Sequence, residues 1–366
     1  MSRRVVIAGG GTGGHIFPGL AVARELKARE IDVHWLGARR GLEAELVAER
    51  NIPITLVDLE GIQAPTPAAT ARALAKLPSA VATSVRTLLK LRPLAGVVGV
   101  GGYASTAGMM AAGLLGVPTV LQEQNSIPGK VNKLLAPFSD LICCGFEDAL
   151  KAFPSLSAEW TGNPVRADFF EVSDVTPQDP PRILILGGSQ GSLFINRTLP
   201  RALAMLRDEA LEIEVKHQAG VRWAEVVRTA YQDFKLEAKV SAFLAQPWQA
   251  FAEADLVVAS SGALTISELA AAGRGALLIP FAAAAGNHQE FYARCLERAG
   301  GALVLTENEA MPLRVSMLLG KLLRDHDALR DMGRSARIVA LPNAAARIAE
   351  RVLSIGGGVC ASTISI

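Results

Sequence analysis

The chain has 366 residues, 50% of them hydrophobic and 20% charged, with a formal net charge of +2 at pH 7. That length suits two domains of about 150 to 200 residues and gives enough apolar material for two cores. A near-neutral balance, without an arginine-rich tract or zinc-ligand spacing, argues against nucleic acid as a partner. Four cysteines, Cys143, Cys144, Cys295 and Cys360, form no CxxC pair and no disulfide framework, so they read as buried thiols of a reducing compartment. The opening "MSRRVVIAGGG" lacks the apolar core and cleavage site of a signal peptide.

In chain order, "RRVVIAGGGTGGHIFPGLAVARELKAREIDVHWLG" predicts a strand, a glycine loop, an amphipathic helix and a second strand. Gly9, Gly11 and Gly14 satisfy the GxGxxG spacing of a dinucleotide loop. Such a loop also wants an acid about 20 residues on, at the end of the second strand. Arg39 and Arg40 stand there instead, which leaves an NADP-dependent oxidoreductase as one alternative. Segment 66–93 interleaves Leu74, Leu77, Val81, Val85, Leu88 and Leu89 with Arg72, Lys76, Arg86, Lys90 and Arg92. It predicts either a core-facing helix with a solvated basic face or a peripheral anchor on an anionic lipid surface. No charged residue lies between Arg92 and Glu123, a length that could span a membrane. The "GVGGY" break and Pro118 predict a buried strand, a glycine turn, a buried helix and a second strand instead.

Residues 161–181, rich in proline and short polar residues, predict a domain junction. From Pro181, "PRILILGGSQGSLFINRTLPRALAMLRDEALEIEVKHQAG" repeats the opening order of elements. Two βαβ openings predict an α/β fold of two doubly wound, Rossmann-like domains facing each other across a cleft. "ASSGALTISELAAAG" follows the strand "DLVV" and predicts a helix beginning near Ser261 or Gly262. Its first N–H groups could receive a phosphate, with Glu268 about two turns in and within reach of a ribose. Alternatively Ser261 is simply an N-cap and Glu268 a first-turn acid favoured by the dipole. The only DxD string, Asp325-His326-Asp327, sits in an amphipathic pattern rather than after a strand, so no metal is expected. A final helix is predicted near 343–355, with "GGGVCASTISI" as a frayed tail.

Five histidines compete as a base. His34 and His217 read as strand residues, His326 as part of a polar helix face, and His288 as shaping a sugar pocket. His15 alone opens a helix at a glycine loop, and an unperturbed pKa near 6.5 suits proton removal at neutral pH. A structural capping contact is the alternative for His15. Glu123, at a strand end, is the rival base.

"GGGTGGHIFPGLAVA", "GVGGYAS", "EQNSIPGKVNKLLA", "TGNPVR", "GGSQGS" and "SGALTISELAAAG" occur in one order along nearly the whole chain. That order resembles the MurG family, UDP-N-acetylglucosamine transferases that complete lipid II in bacterial peptidoglycan synthesis. The resemblance implies a GT-B fold. Residues 1–163, joined by a final helix at 342–356, would bind the acceptor lipid I, and residues 164–341 the UDP-sugar donor. It carries donor contacts onto Ser189, Ala263, Leu264 and Thr265, with Glu268 on the ribose and the backbone of Leu244 on uracil. Asn125 and Arg166 match further donor contacts, and Gln289 faces the sugar. Thr12, Gly13, Gly14 and Tyr103 are carried over as substrate contacts from the first domain, with His15 or Glu123 as base. An α-linked donor and a β-linked family product imply inversion, without metal or cofactor. The acceptor implies a peripheral protein on the cytoplasmic face of the plasma (inner) membrane. The family usually has His at Gln122, Arg at Ser260, Pro at Gly275 and Asn at Tyr292. Ser260 and Tyr292 leave a nucleotide-sugar-binding protein without catalysis as a second alternative.

Overall fold

The computed structural model describes residues 3–39, 41, 43–59, 67–188 and 190–359. They form two compact units, Met1–Arg166 with Asn343–Ile366, and Ala167–Pro342. In unit 1 the strands are β1 (Arg4–Ala8), β2 (Asp32–Ala38), β3 (Ile54–Val57), β4 (Leu94–Gly99), β5 (Thr119–Glu123), β6 (Leu141–Cys144) and β7 (Ala158–Trp160). They pair in parallel in the order β3-β2-β1-β4-β5-β6-β7. The intervening helices are α1 (Gly13–Ala28), α2 (Glu43–Ala48), α3 (Pro67–Lys90), α4 (Tyr103–Leu114) and α5 (Lys130–Leu135).

Unit 2 holds β8 (Arg182–Leu186), β9 (Glu214–Gln218), β10 (Lys239–Ser241), β11 (Leu256–Ala259), β12 (Ala276–Leu278) and β13 (Ala302–Val304). These are again parallel, in the order β10-β9-β8-β11-β12-β13. Its helices are α6 (Leu193–Asp208), α7 (Ala224–Asp233), α8 (Pro247–Glu253), α9 (Ala263–Ala272), α10 (His288–Arg298), α11 (Pro312–Arg324) and α12 (His326–Ile338). Continuous apolar strands are what two covered faces demand. In β1, Val5 and Ile7 enter the cluster that includes Ile16 of α1, while Val6 and Ala8 enter the one that includes Met109 of α4.

The last helix, α13 (Ala344–Val359), buries Ile348, Ala349 and Val352 in the first of those clusters. Each large aliphatic side chain so buried contributes roughly 1.5–3 kcal/mol. The predicted frayed tail is corrected in part: α13 runs on through its glycines. A Cβ at Gly356 would lie 1.9 Å from Ala95 O, so the missing side chain lets the helix backbone settle on β4. Residues 360–366 lie outside the described part.

The uncharged stretch is β4, a glycine turn, α4 and β5, and α4 buries the residues from Ala104 to Met109 with Ala111 and Ala112. Among the described residues no helix is long and apolar enough to cross a membrane. The described side chains of segment 66–93 follow its core-facing reading. Leu77, Ala80 and Val81 of α3 pack with Ala104 and Ala107 of α4, and Val85 and Leu88 join the neighbouring core. Only Leu89 among the described leucines of α3 is well exposed, and Lys76 pairs with Asp58 at 3.1 Å. Arg72 and Leu74 fall outside the described side chains.

The 161–181 stretch is held, not loose. Phe169 meets Phe251 edge-on with centroids 5.2 Å apart. Arg274, 2% exposed, donates to the carbonyls of Ser173 (2.8 Å) and Phe251 (2.7 Å), and Arg337 donates to that of Val172 at 2.6 Å. A guanidinium presents five donors in a rigid fork, so one side chain can gather several loop carbonyls.

Candidate active site

Each sheet reverses its strand order beside its first strand, and α/β sheets bind ligands at the carboxyl ends of strands flanking that point. In unit 1 the flanking loops are 9–12 and 100–102. His15, half-buried in the first turn of α1, donates from Nδ1 to Val100 O at 3.1 Å. Gln124 Nε2 donates to the same carbonyl at 2.7 Å. A carbonyl only accepts, so neutral His15 carries its proton on Nδ1 and its lone pair on Nε2. Burial pushes the His15 pKa below the ordinary imidazole value, against the opposing pull of the Val100 carbonyl. That shift favours the uncharged ring. Gly101 and Gly102 have positive φ (83° and 72°), and a Cβ on either would come within 3.0 Å of a His15 ring atom.

Thr12 is the N-cap of α1, and its side chain makes no cap hydrogen bond to the tip where Gly13 and Gly14 sit. The Tyr103 ring packs against Gly11, and the Arg166 guanidinium lies 4.4 Å over the Phe17 ring of α1.

Glu123 is fully buried. Its Oε1 accepts from Asn125 N (2.7 Å) and Asn125 Nδ2 (3.1 Å), and its Oε2 from Gly129 N (3.0 Å) and Asn132 Nδ2 (2.9 Å). Burial raises its pKa, and these donors pull it back down. Both oxygens are thus spent on their own loop, the geometry of a staple. Gln122, beside it, is buried, with Nε2 3.4 Å from Asn163 Oδ1.

Glu43, the first residue of α2, was not singled out from the sequence. It is fully buried, and its Oε2 accepts from Gly11 N at 3.0 Å and its Oε1 from Ala38 N at 2.9 Å. The acid missing from the end of β2 is therefore present just beyond it and turned inward. An NADP diphosphate entering this loop would meet a carboxylate, which overturns the oxidoreductase reading. Arg39 is exposed, and Arg40 is outside the described residues.

In unit 2 the flanking loops are 187–192 and 260–262. Ser189 is outside the described residues, while Ser192 caps α6 by accepting from Ile195 N at 3.3 Å. Helix α9 has Gly262 as N-cap and no side-chain cap bond. The Ser261 N-cap alternative is overturned, because Ser261 Oγ donates to Gln289 O at 2.7 Å. The first ladder bond is Ile266 N to Gly262 O at 3.0 Å, which leaves the N–H groups of Ala263, Leu264 and Thr265 at an open tip. Glu268 is half-buried, and its spacing puts it on the face of Leu264 and Thr265. Gln289 is fixed twice, through its carbonyl and through Oε1, which accepts from Phe281 N at 3.0 Å. Leu244 is half-buried in the loop between β10 and α8. Ser260 is half-buried after β11, and Tyr292 is fully buried in α10 beside His288, ring centroids 5.6 Å apart. Gly275 lies under α12, where a Cβ would be 2.8 Å from Met332 Cβ. These last three departures are thus a loop, a core and a packing position.

Several other titratable groups singled out in the sequence are committed elsewhere. His217 sits between Tyr231 OH and Asn196 Oδ1, both at 3.0 Å, and burial drives its pKa to about 3. His34 meets Thr55 Oγ1 at 2.9 Å. Asp325 caps α12, accepting from Ala328 N at 2.9 Å, and Asp327 pairs with Arg330. Cys143 and Cys144 are buried in β6, and burial pushes the Cys144 thiol up to about 12.

Two parallel, doubly wound units with glycine loops at their switch points define a GT-B-type fold of the sugar-nucleotide transferases. Residues 5–143 match the glycosyltransferase family 28 N-terminal domain, and residues 182–352 its C-terminal domain. The chain is 41% identical over 363 residues to the UDP-N-acetylglucosamine–N-acetylmuramyl-(pentapeptide) pyrophosphoryl-undecaprenol N-acetylglucosamine transferase of Nitrosococcus oceani, covering 98% of this chain and 100% of that one. The protein of the same name from Stutzerimonas stutzeri is 38% identical over the same shares. The crystal structure of Acinetobacter baumannii MurG aligns with a TM-score of 0.74 at 31% identity, covering 96% of this chain and 99% of that one. The chain belongs to the MurG family.

Proposed function

We propose that the protein transfers N-acetylglucosamine from UDP-N-acetylglucosamine to lipid I, the undecaprenyl-pyrophosphoryl-linked N-acetylmuramyl pentapeptide, forming lipid II. The observation that carries this reading is the uncapped tip of α9, backed by Glu268 and by the doubly fixed Gln289. The departing diphosphate accepts from the N–H groups of Ala263, Leu264 and Thr265, each contact contributing about 0.3–1 kcal/mol, and more when partly buried. Glu268 holds the ribose diol, the Leu244 backbone reads uracil, and Gln289 reads the sugar. Asn125 and Arg166 are further donor contacts. With the two acids of the DxD string committed to a helix start, the helix tip replaces a cation and no metal or cofactor takes part.

The acceptor hydroxyl attacks the anomeric carbon as the bond to UDP breaks, and its proton passes to His15 Nε2. One in-line displacement inverts the centre and needs no enzyme nucleophile. Thr12, Gly13 and Gly14 at the tip of α1, with Tyr103 beside them, receive the acceptor. Glu123 positions its loop and does not act as the base.

Membrane association is peripheral, on the cytoplasmic face of the plasma membrane, and uses a surface other than α3. Met110, Leu114 and Phe138 line one groove, with Leu114 72% and Phe138 68% exposed. Arg92, whose Nη2 donates to Leu115 O at 3.4 Å, supplies a cation beside it. Apolar insertion combined with basic residues suits an anionic bilayer. Leu114→Ser with Phe138→Ser should reduce co-sedimentation with anionic vesicles, and unchanged binding would remove this surface. The reaction itself is tested by transfer of labelled N-acetylglucosamine from its UDP donor to a lipid I analogue in excess chelator. Transfer is expected to persist. Loss on chelation with recovery on Mg²⁺ would overturn the metal-free step, and no transfer under any condition would overturn the function.

A further inference from the structure

The first glycine loop has the backbone of a phosphate cradle but is already filled. Glu43 is fully buried, and its two oxygens accept from Gly11 N, within the loop, and from Ala38 N, at the end of β2. A Cβ at Gly10 would lie 2.1 Å from Glu43 Oε1, one at Gly41 2.0 Å from Oε2, and one at Gly37 2.8 Å from Cγ. Three glycines, one in the loop and two between the end of β2 and α2, therefore make room for one buried side chain. The rest of the loop is tied in the same way: Gly9 N donates to Leu36 O at 3.0 Å, and Trp35 Nε1 donates to Gly9 O at 2.9 Å. On its other side, Gly10 O packs against Gly102, next to the 100–102 turn that supplies the carbonyl partner of His15.

We propose that Glu43 is a positioning residue for the transfer reaction: its carboxylate takes the place of a bound phosphate in the 9–14 loop, setting the start of α1 so that His15 presents Nε2 to the acceptor hydroxyl. The inference rests on His15 being the base. Gly11 N–H, the donor that a dinucleotide loop would offer its ligand, is consumed internally, which restricts this unit's anion binding to the tip at Gly13 and Gly14. An oxygen facing each of two N–H groups is needed, and a carboxylate supplies two acceptors where an amide supplies one acceptor and one donor. Glu43→Gln therefore sets an N–H₂ against a backbone N–H with almost no change of volume.

The test uses the full-length protein with UDP-N-acetylglucosamine and a lipid I analogue. Glu43→Gln should lower kcat by about tenfold or more, in line with the cost of small misplacements of catalytic groups, while KM for the UDP-sugar changes less than about twofold. Glu43→Ala should lower kcat further, and added formate should restore part of it by refilling the vacated carboxylate position. In a His15→Ala background, Glu43→Gln should add little further loss, because both changes act through one ring. Unchanged kcat in Glu43→Gln, or an equal and independent loss in the His15→Ala background, would overturn the positioning role. A His15→Ala single variant that keeps kcat within about tenfold of the parent would instead overturn the base assignment beneath it. If Glu43→Ala does not fold, the near-isosteric Glu43→Gln and the double variant decide the question.

Discussion

The tips of α1 and α9 begin alike, each after a buried parallel strand and each without a side-chain cap, yet they are furnished oppositely. Beside α1 lies an internal carboxylate, Glu43, and the tip carries a neutral imidazole held by a backbone carbonyl. At α9 the tip is bare, with its acid Glu268 set back along the helix. In the proposed reaction the first tip adds proton removal to acceptor binding, and the second holds the departing anion. A glycine loop or helix start therefore does not define a phosphate site by itself, and what fills or backs it decides its chemistry.

The contrast is broken most strongly at His15. His15→Ala should lower kcat by about 10²- to 10⁴-fold, the usual worth of a general base, with UDP affinity nearly unchanged. Because burial lowers the His15 pKa, the acid limb of the kcat profile should fall below pH 6.5. A limb well above that value, or a loss under about tenfold, would leave α1 without its chemical role. A smaller effect is expected at the other tip. Glu268→Ala should weaken UDP binding by about 1–3 kcal/mol in calorimetry, the cost of losing a charge-assisted hydrogen bond, and unchanged affinity would remove Glu268 from the donor site.

His217 sharpens the comparison as a histidine with no part in chemistry. Its folded pKa of about 3 lies far below that of an unfolded chain. Between about pH 6.5 and 3 the unfolded state binds the proton and the native state does not, so stability falls as pH falls through that window. The slope it adds is at most about 1.4 kcal/mol per pH unit. Urea titrations should find that slope reduced in His217→Gln, and equal slopes in the two proteins would refute the linkage.

Much of this was legible in the sequence because parallel strands covered on both faces are continuous apolar runs, and "RVVIA" and "RILIL" could be little else. The α9 tip was legible because "SSGAL" follows such a strand. The faces of α3 were not, since an amphipathic helix looks the same whether its apolar side meets a core or a lipid surface. The end of α13 was not legible because its last residues carry no periodic pattern, whereas Gly356 serves a close approach to Ala95 that only the fold creates. Glu43 was missed for a related reason. The expected acid was sought at the end of β2, facing a ligand, and the chain supplies it a few residues later, facing its own backbone.

The proposed transfer is a single in-line displacement, in which UDP leaves to the α9 tip as His15 takes the acceptor proton. Its most direct test is the anomeric configuration of the newly made glycosidic bond, read by proton NMR of the product formed from α-linked UDP-N-acetylglucosamine and a lipid I analogue. A β linkage is expected. A retained α linkage would require a double displacement through an enzyme nucleophile and would contradict the assigned roles of both helix tips.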